Sequence, residues 1–297
     1  MKFVMHSDQR MLEDVSKVDD LITLATDMTG GNILISGASM VLPDGIYTGD
    51  LRITDGVISE ISTEASLEAR DGELIQDGTG LHLLPGIIDP QVHFRDPGQP
   101  EKEDLQSGSC AAASGGVTSF LDMPNNVPSQ TTLQSMYEKL EVASNKCITN
   151  YGFFIGATES NVEELKKAVG TPDFPIAIPG ICGIKIFMGS STGDLLVNES
   201  NALKTIFDNT AGLIAVHAED EDRMNERKKA IEGRTDMAAH AEWRDDQTAL
   251  IATKRAVNYA IDSNHRLHIL HLTSGIEADW LSEYTSLDGT KGLGRSN

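Results

Sequence analysis

The 297 residues carry a formal net charge of −21 at pH 7, which argues against nucleic acid or an anionic membrane as partner, since both need a basic face. With 39% apolar residues the chain can bury a sizeable core, so wholesale disorder is excluded. No apolar run is long enough to span a bilayer.

Residues 1–31 hold Asp8, Glu13, Asp14, Asp19 and Asp20 and a weak apolar pattern at Leu21, Ile22 and Leu24. They lack the apolar segment after a basic stretch that marks a signal peptide, and are expected to form a frayed or helical extension. Residues 32–84 read as short strands at 33–35, 51–53, 57–61 and 73–75. The turn signals Pro43-Asp44-Gly45, Asp55-Gly56 and Asp71-Gly72 separate them. So small a piece cannot hold a core alone and must pack on something else.

From Pro85 the pattern becomes strand, loop, helix. Apolar runs at 83–94, 118–125, 150–157, 183–188, 213–219 and 268–274 read as buried strands. Helices are predicted at 104–113, 132–144, 161–169, 200–208, 238–262 and 276–284, with capping boxes at Thr131-x-x-Gln134 and Ser160-x-x-Glu163. Such alternation implies an α/β fold with a parallel sheet and right-handed crossovers. Polar residues recur at the C-terminal ends of the strands, which favours a β/α (TIM-like) barrel over an open sheet. No G-x-G-x-x-G fingerprint supports dinucleotide binding. The three cysteines, Cys110, Cys147 and Cys182, form no C-x-x-C pair, as suits a reducing cytoplasm. Cys110 and Cys182 are expected to be small buried residues.

The chemistry concentrates at the strand ends. Gln91 and His93 lie two apart and so share a face, just before the loop Arg95-Asp96-Pro97-Gly98. Lys185, in Gly183-Ile184-Lys185-Ile186-Phe187-Met188, has apolar neighbours of opposite parity and points inward. A buried ammonium is costly unless paired, and desolvation lowers its pKa. The bland alternative is a salt bridge; the functional one is a neutral lysine that forms an imine or a carbamate. His217 and His271 end the next two runs, and neutral imidazoles are the usual ligands of zinc. By parity with His271, His268 is expected to face the helices. His6, His82 and His240 have no such setting.

These stretches together resemble the cyclic amidohydrolases, and among them the class I dihydroorotases. The resemblance rests on Pro85-Gly86-Ile87-Ile88-Asp89, His93-Phe94-Arg95-Asp96-Pro97-Gly98, Lys102-Glu103-Asp104, Gly115-Gly116-Val117-Thr118, Met123-Pro124-Asn125, the Lys185 stretch and Val216-His217-Ala218-Glu219. It implies a distorted barrel over about residues 85–281, with residues 32–84 as part of a small β-sandwich. It further implies that Lys185 is N-carboxylated and bridges two zinc ions, that His217 and His271 hold one metal, and that His93 holds the other. Arg95 and Asn125 would grip a substrate carboxylate, a task that suits the planar guanidinium. The implied reaction interconverts N-carbamoyl-L-aspartate and dihydroorotate in pyrimidine biosynthesis. Homo-oligomers or aspartate transcarbamoylase are the implied partners.

Two departures stand out. The family's first-strand pair is His-x-His, whereas here its first member is Gln91, whose carbonyl oxygen is a poor donor to zinc. The family's catalytic aspartate, at the end of the eighth strand, has no counterpart, and residues 282–297 form a divergent tail without apolar period. About six of eight strands are expected, as in a truncated or frame-shifted form of a longer protein. The alternatives are a non-catalytic scaffold subunit for aspartate transcarbamoylase and an allantoinase- or hydantoinase-like hydrolase.

Overall fold

A computed structural model describes the backbone of residues 3–6 and, with side chains, residues 31–189 and 194–284. The chain divides into two compact units, Met1–Ile88 with Ala111–Ser119, and Asp89–Cys110 with Phe120–Asn297.

The first unit is built on a sheet of β1 (Phe3–His6), β2 (Ile33–Leu42), β3 (Gly45–Thr54), β4 (Val57–Ser62), β5 (Leu74–Asp77) and β6 (His82–Pro85). The strand order is β1-β6-β2-β3-β4, with β5 also pairing β2. The β3–β4 turn places Asp55 at φ 51° and Gly56 at φ 76°, the left-handed pair that a tight hairpin requires. Ile35, Ala38, Met40, Leu51 and Leu83 form its core. The expected frayed or helical start is corrected at residues 3–6, which pair antiparallel with β6; the apolar pattern at Leu21–Leu24 lies outside the described residues. The expected single run at 83–94 is also corrected. It breaks at Gly86 into β6, in this sheet, and β7 (Ile87–Val92), in the other.

The βα region continues with α1 (Leu105–Ser114), β8 (Val117–Asp122), α2 (Leu133–Lys146), β9 (Asn150–Gly156) and α3 (Val162–Val169). A small hairpin of β10 (Gly170–Thr171) and β11 (Phe174–Pro175) precedes β12 (Ile181–Phe187). Then come α4 (Ser200–Asn209), β13 (Leu213–His217), α5 (Glu221–Lys228), α6 (Met237–Trp243), α7 (Asp246–Ser263), β14 (Arg266–Ile269) and α8 (Gly275–Ser282). Among the described residues the large sheet has six strands in the order β14-β13-β12-β9-β8-β7, and its β9–β12, β12–β13 and β13–β14 pairs are parallel. Strands neighbouring in both sequence and space make this an α/β fold with the strand order of an incomplete β/α barrel.

The sheet has two apolar faces. Phe120, Phe153, Ile155, Ile184, Ile186, Ile214 and Val216 pack with helix residues such as Met136, Leu203 and Ala256. Met123, Phe154, Ala215 and Leu270 form a smaller cluster on the opposite, axis-facing side. Strand β12 changes parity at a bulge: Ile181 pairs with Phe153 and Gly183 with Phe154, leaving Cys182 extra. A side chain at Gly183 would run into the carbonyl oxygen of Leu213, so only glycine fits there. Past the bulge Ile184 and Ile186 turn to the helices, and Lys185 turns to the axis.

Several local expectations are corrected. The capping box of α2 is formed by Thr132 and Ser135, not Thr131 and Gln134. Helix α3 begins after Asn161 without a side-chain cap, so Ser160 and Glu163 form no box. The single helix expected at 238–262 is two, because the Asp245 side chain accepts from Thr248 N–H and starts α7 afresh. Helix α5, capped by Asp220, was unforeseen because so polar a helix shows no apolar period. Cys110 is exposed rather than buried: α1 buries Leu105, Gly108 and Ser109. Cys182 is half-buried, and burial pushes its thiol up to about 12.

Candidate metal centre at the strand ends

Lys185 is 0% exposed, and its Nζ, 4.4 Å from the centre of the Phe187 ring, has no hydrogen-bond partner among the described residues. Burial pushes its pKa well below the ordinary lysine value. An ammonium sealed from water without a partner would be expensive, so burial favours the neutral amine, whose lone pair is open to chemistry.

Around it the next strand ends bring imidazoles. His217 closes β13, with Phe187 its neighbour in register. His271 lies two residues past β14 with φ 37°, a left-handed conformation that costs a non-glycine residue of order 1 kcal/mol. That turn brings His271 Nε2 to 2.9 Å from His217 Nδ1. The other nitrogen of His217, Nε2, lies 2.5 Å from Glu219 Oε2, and Arg244 holds Glu219 from behind through two hydrogen bonds. Burial alone would raise the Glu219 carboxyl, but bonds from Arg244 and His217 outweigh it and bring it down to about 2. A carboxylate can only accept, so His217 donates from Nε2 and turns Nδ1 toward His271. Burial, reinforced by the charges of His217 and Lys185, pushes His271 down to about 4.

His93 sits just past β7, and its Nδ1 is 2.7 Å from Asn125 Oδ1. The amide oxygen is an acceptor, so Nδ1 bears the proton and Nε2 is the free lone pair. Burial lowers the His93 pKa, and the charges of Arg95, Lys185 and His217 also act to lower it. Arg95 donates from Nη1 to the Asn125 carbonyl oxygen at 3.4 Å. Two contacts thus join the sequence-predicted residues, His93 with Asn125 and Asn125 with Arg95, while His217 and His271 form a separate pair beside Lys185. Gln91, half-buried on β7, donates its backbone N–H to Asp89.

His268 requires a correction. Its register partner is Ala215, itself paired with Lys185, while its neighbours Leu267 and Ile269 pack on the helix side. It therefore faces the axis, within range of Lys185's charge. Parity failed because His271 lies beyond the strand. The Glu219–Arg244 pair has no signal in the strand period, because Glu219 lies two residues past the end of β13 and Arg244 farther along the chain. Among the described residues, no three His, Cys, Asp or Glu side chains converge closely enough to hold a metal ion.

Residues 82–290 match the Amidohydrolase family, and the chain belongs to that family. It is 33% identical over 256 residues to the allantoinase of Deinococcus radiodurans, covering 82% of this chain and 54% of that protein. It is 30% identical over 247 residues to the dihydroorotase of Methanosarcina acetivorans, covering 82% and 50%. Among solved structures, the L-hydantoinase (dihydropyrimidinase) of Arthrobacter aurescens aligns with a TM-score of 0.74 at 26% identity, covering 84% of this chain and 55% of that one. The chain spans about half the length of these relatives. No helix among the described residues is long and apolar enough to cross a membrane.

Proposed function

We propose that the chain carries the metal-ligating strand ends of a zinc-dependent cyclic amide hydrolase that interconverts N-carbamoyl-L-aspartate and dihydroorotate. The observation that carries this reading is the sealed, partnerless nitrogen of Lys185 beside the His217–His271 pair. Those residues fit a metal. A neutral amine adds to carbon dioxide, forming an N–C bond and releasing a proton, and becomes an anionic carbamate with two oxygen donors. Since no trio of ordinary ligand side chains converges among the described residues, the carboxylated Lys185 would complete the set with His217 and His271, and His93 would offer Nε2 to a second ion. Bound zinc would lower the pKa of water and polarise the amide carbonyl.

The remaining residues position. Glu219, held by Arg244, fixes the His217 tautomer as carboxylates commonly do behind metal-binding histidines. Arg244→Met is expected to weaken zinc binding by about 10–100-fold, read by competition with a chelating dye. Unchanged affinity would remove Glu219 and Arg244 from this role.

Arg95 and Asn125 would hold the substrate carboxylate. Loss of a charge-assisted bond is worth roughly 1.5–3 kcal/mol, so Arg95→Ala should raise the KM for dihydroorotate by about 10–100-fold. Allantoin has no carboxylate, and its turnover should hardly respond. A second reading, allantoinase, is favoured by the identity to the Deinococcus radiodurans protein; zinc-loaded protein that opens allantoin but not dihydroorotate would establish it. Protein that binds no zinc and turns over neither compound would point to the scaffold reading, with aspartate transcarbamoylase as partner.

A further inference from the structure

We propose that Lys139 is a positioning residue which, through Asp122 and Asn126, sets His93 and Asn125 against each other. Lys139 projects from α2 into the core, 2% exposed, between Met136 and Ala143 on the helix's buried stripe. Its Nζ donates to Asp122 Oδ2 at 2.7 Å and to Asn126 Oδ1 at 2.7 Å, and lies 4.6 Å from the centre of the Phe153 ring. Asp122 Oδ1 accepts from the backbone N–H groups of Phe94 and Met123, each at 2.9 Å. Asn126 Nδ2 donates to the Phe94 carbonyl oxygen at 3.1 Å. The bonds close a ring: Phe94 N–H to Asp122, Lys139 to Asp122 and to Asn126, Asn126 to Phe94 C=O.

The ring's position gives it meaning. Both backbone polar groups of Phe94 are clamped, and Phe94 stands between His93 and Arg95. Asn126, the other clamped residue, follows Asn125. On the far side of the same two segments, His93 and Arg95 reach Asn125 directly. The ends of β7 and β8 are therefore joined twice, once through a buried charge and once through the candidate site itself. Burying an ion pair seldom stabilises a fold more than apolar side chains of equal size, whereas it can fix one arrangement against others. A lysine and an aspartate at 2% and 0% exposure are thus better explained by placement than by stability.

The inference rests on reading His93 and Asn125 as site residues, so the test avoids both zinc and turnover. In the metal-free whole chain, ring ¹⁵N spectra at pH 7 should show His93 as a single tautomer protonated at Nδ1. Lys139→Met alone would strand the Asp122 carboxylate, so the decisive variant is Lys139→Met combined with Asp122→Asn, which keeps an oxygen for Phe94 N–H. It should fold, with its near-ultraviolet circular dichroism retained, and lose the single-tautomer signature at His93. The ring of His265, held between the Thr210 and Arg266 carbonyl oxygens away from this cluster, should be unchanged. Lys139→Arg alone, which keeps a cation beside Asp122, should retain part of the signature. Overturning results are a folded double variant with His93 unaltered, or a double variant that does not fold, since the ring would then serve stability alone.

Discussion

Lys185→Met is expected to abolish zinc binding at the strand ends and to lower turnover of a cyclic amide by at least about 10³-fold, the several kcal/mol that a Lewis acid supplies. The same substitution should leave the fold more stable, not less. Methionine matches the stem in length and removes a nitrogen that is sealed and partnerless, a burden of roughly 1–3 kcal/mol. Stability gained with function lost is the signature of a residue kept for chemistry. The pH dependence follows from the sign of the shift. Burial depresses the Lys185 pKa in the fold, so the unfolded chain binds the proton more readily. Metal-free protein should become more stable as pH rises toward the ordinary lysine value of 10.5, and Lys185→Met should flatten that rise. Urea titrations across pH, metal analysis and ¹³C spectra after ¹³C-bicarbonate provide the readouts. Full zinc content in Lys185→Met, or no carbamate signal in zinc-loaded wild type, would sink the assignment.

Phe120→Ala should cost about 3–5 kcal/mol of folding free energy, the range for removing a fully buried aromatic ring. Phe120 is 0% exposed. Its ring meets Phe94 edge-on at 4.8 Å between centroids and Phe153 at 6.5 Å, so the segments on both sides of its own strand lean on it. With whole domains stable by only about 5–15 kcal/mol, such a loss is a large share of the total. It would appear as a lower urea midpoint with unchanged slope. The consequence should reach the site, because Phe94 sits between His93 and Arg95. A loss below about 1 kcal/mol would mean that neighbouring side chains collapse into the space, and that the aromatic row is not what holds these strands together.

Much of this was legible in the chain. Lys185, His217 and the alternating apolar residues beside them were readable because a strand has period two, and apolar neighbours of one parity leave the intervening residue on the opposite face. The order of strands and helices was readable for the same reason. What escaped depended on partners remote in sequence. Lys139 looks like an ordinary helical lysine until Asp122 and Asn126 are brought beneath it, and Arg244 lies 25 residues from the glutamate it grips. His268 was assigned the wrong face because His271 had already left the strand, where alternation no longer applies. The proposed choice between dihydroorotate and allantoin rests on a single guanidinium, Arg95, which strand periodicity does not address.

The extra residue at Cys182 has an evolutionary corollary. Upstream of it Ile181 leans toward the helices; downstream, the Lys185 amine faces the opposite way only because the count was advanced by one. The two lie four apart, a spacing that plain alternation would put on one face. Loss of the extra residue together with the bulge would therefore keep the lysine on the axis, whereas straightening the strand at full length would rotate it into the greasy seam under the helices and exchange it for Ile184 or Ile186.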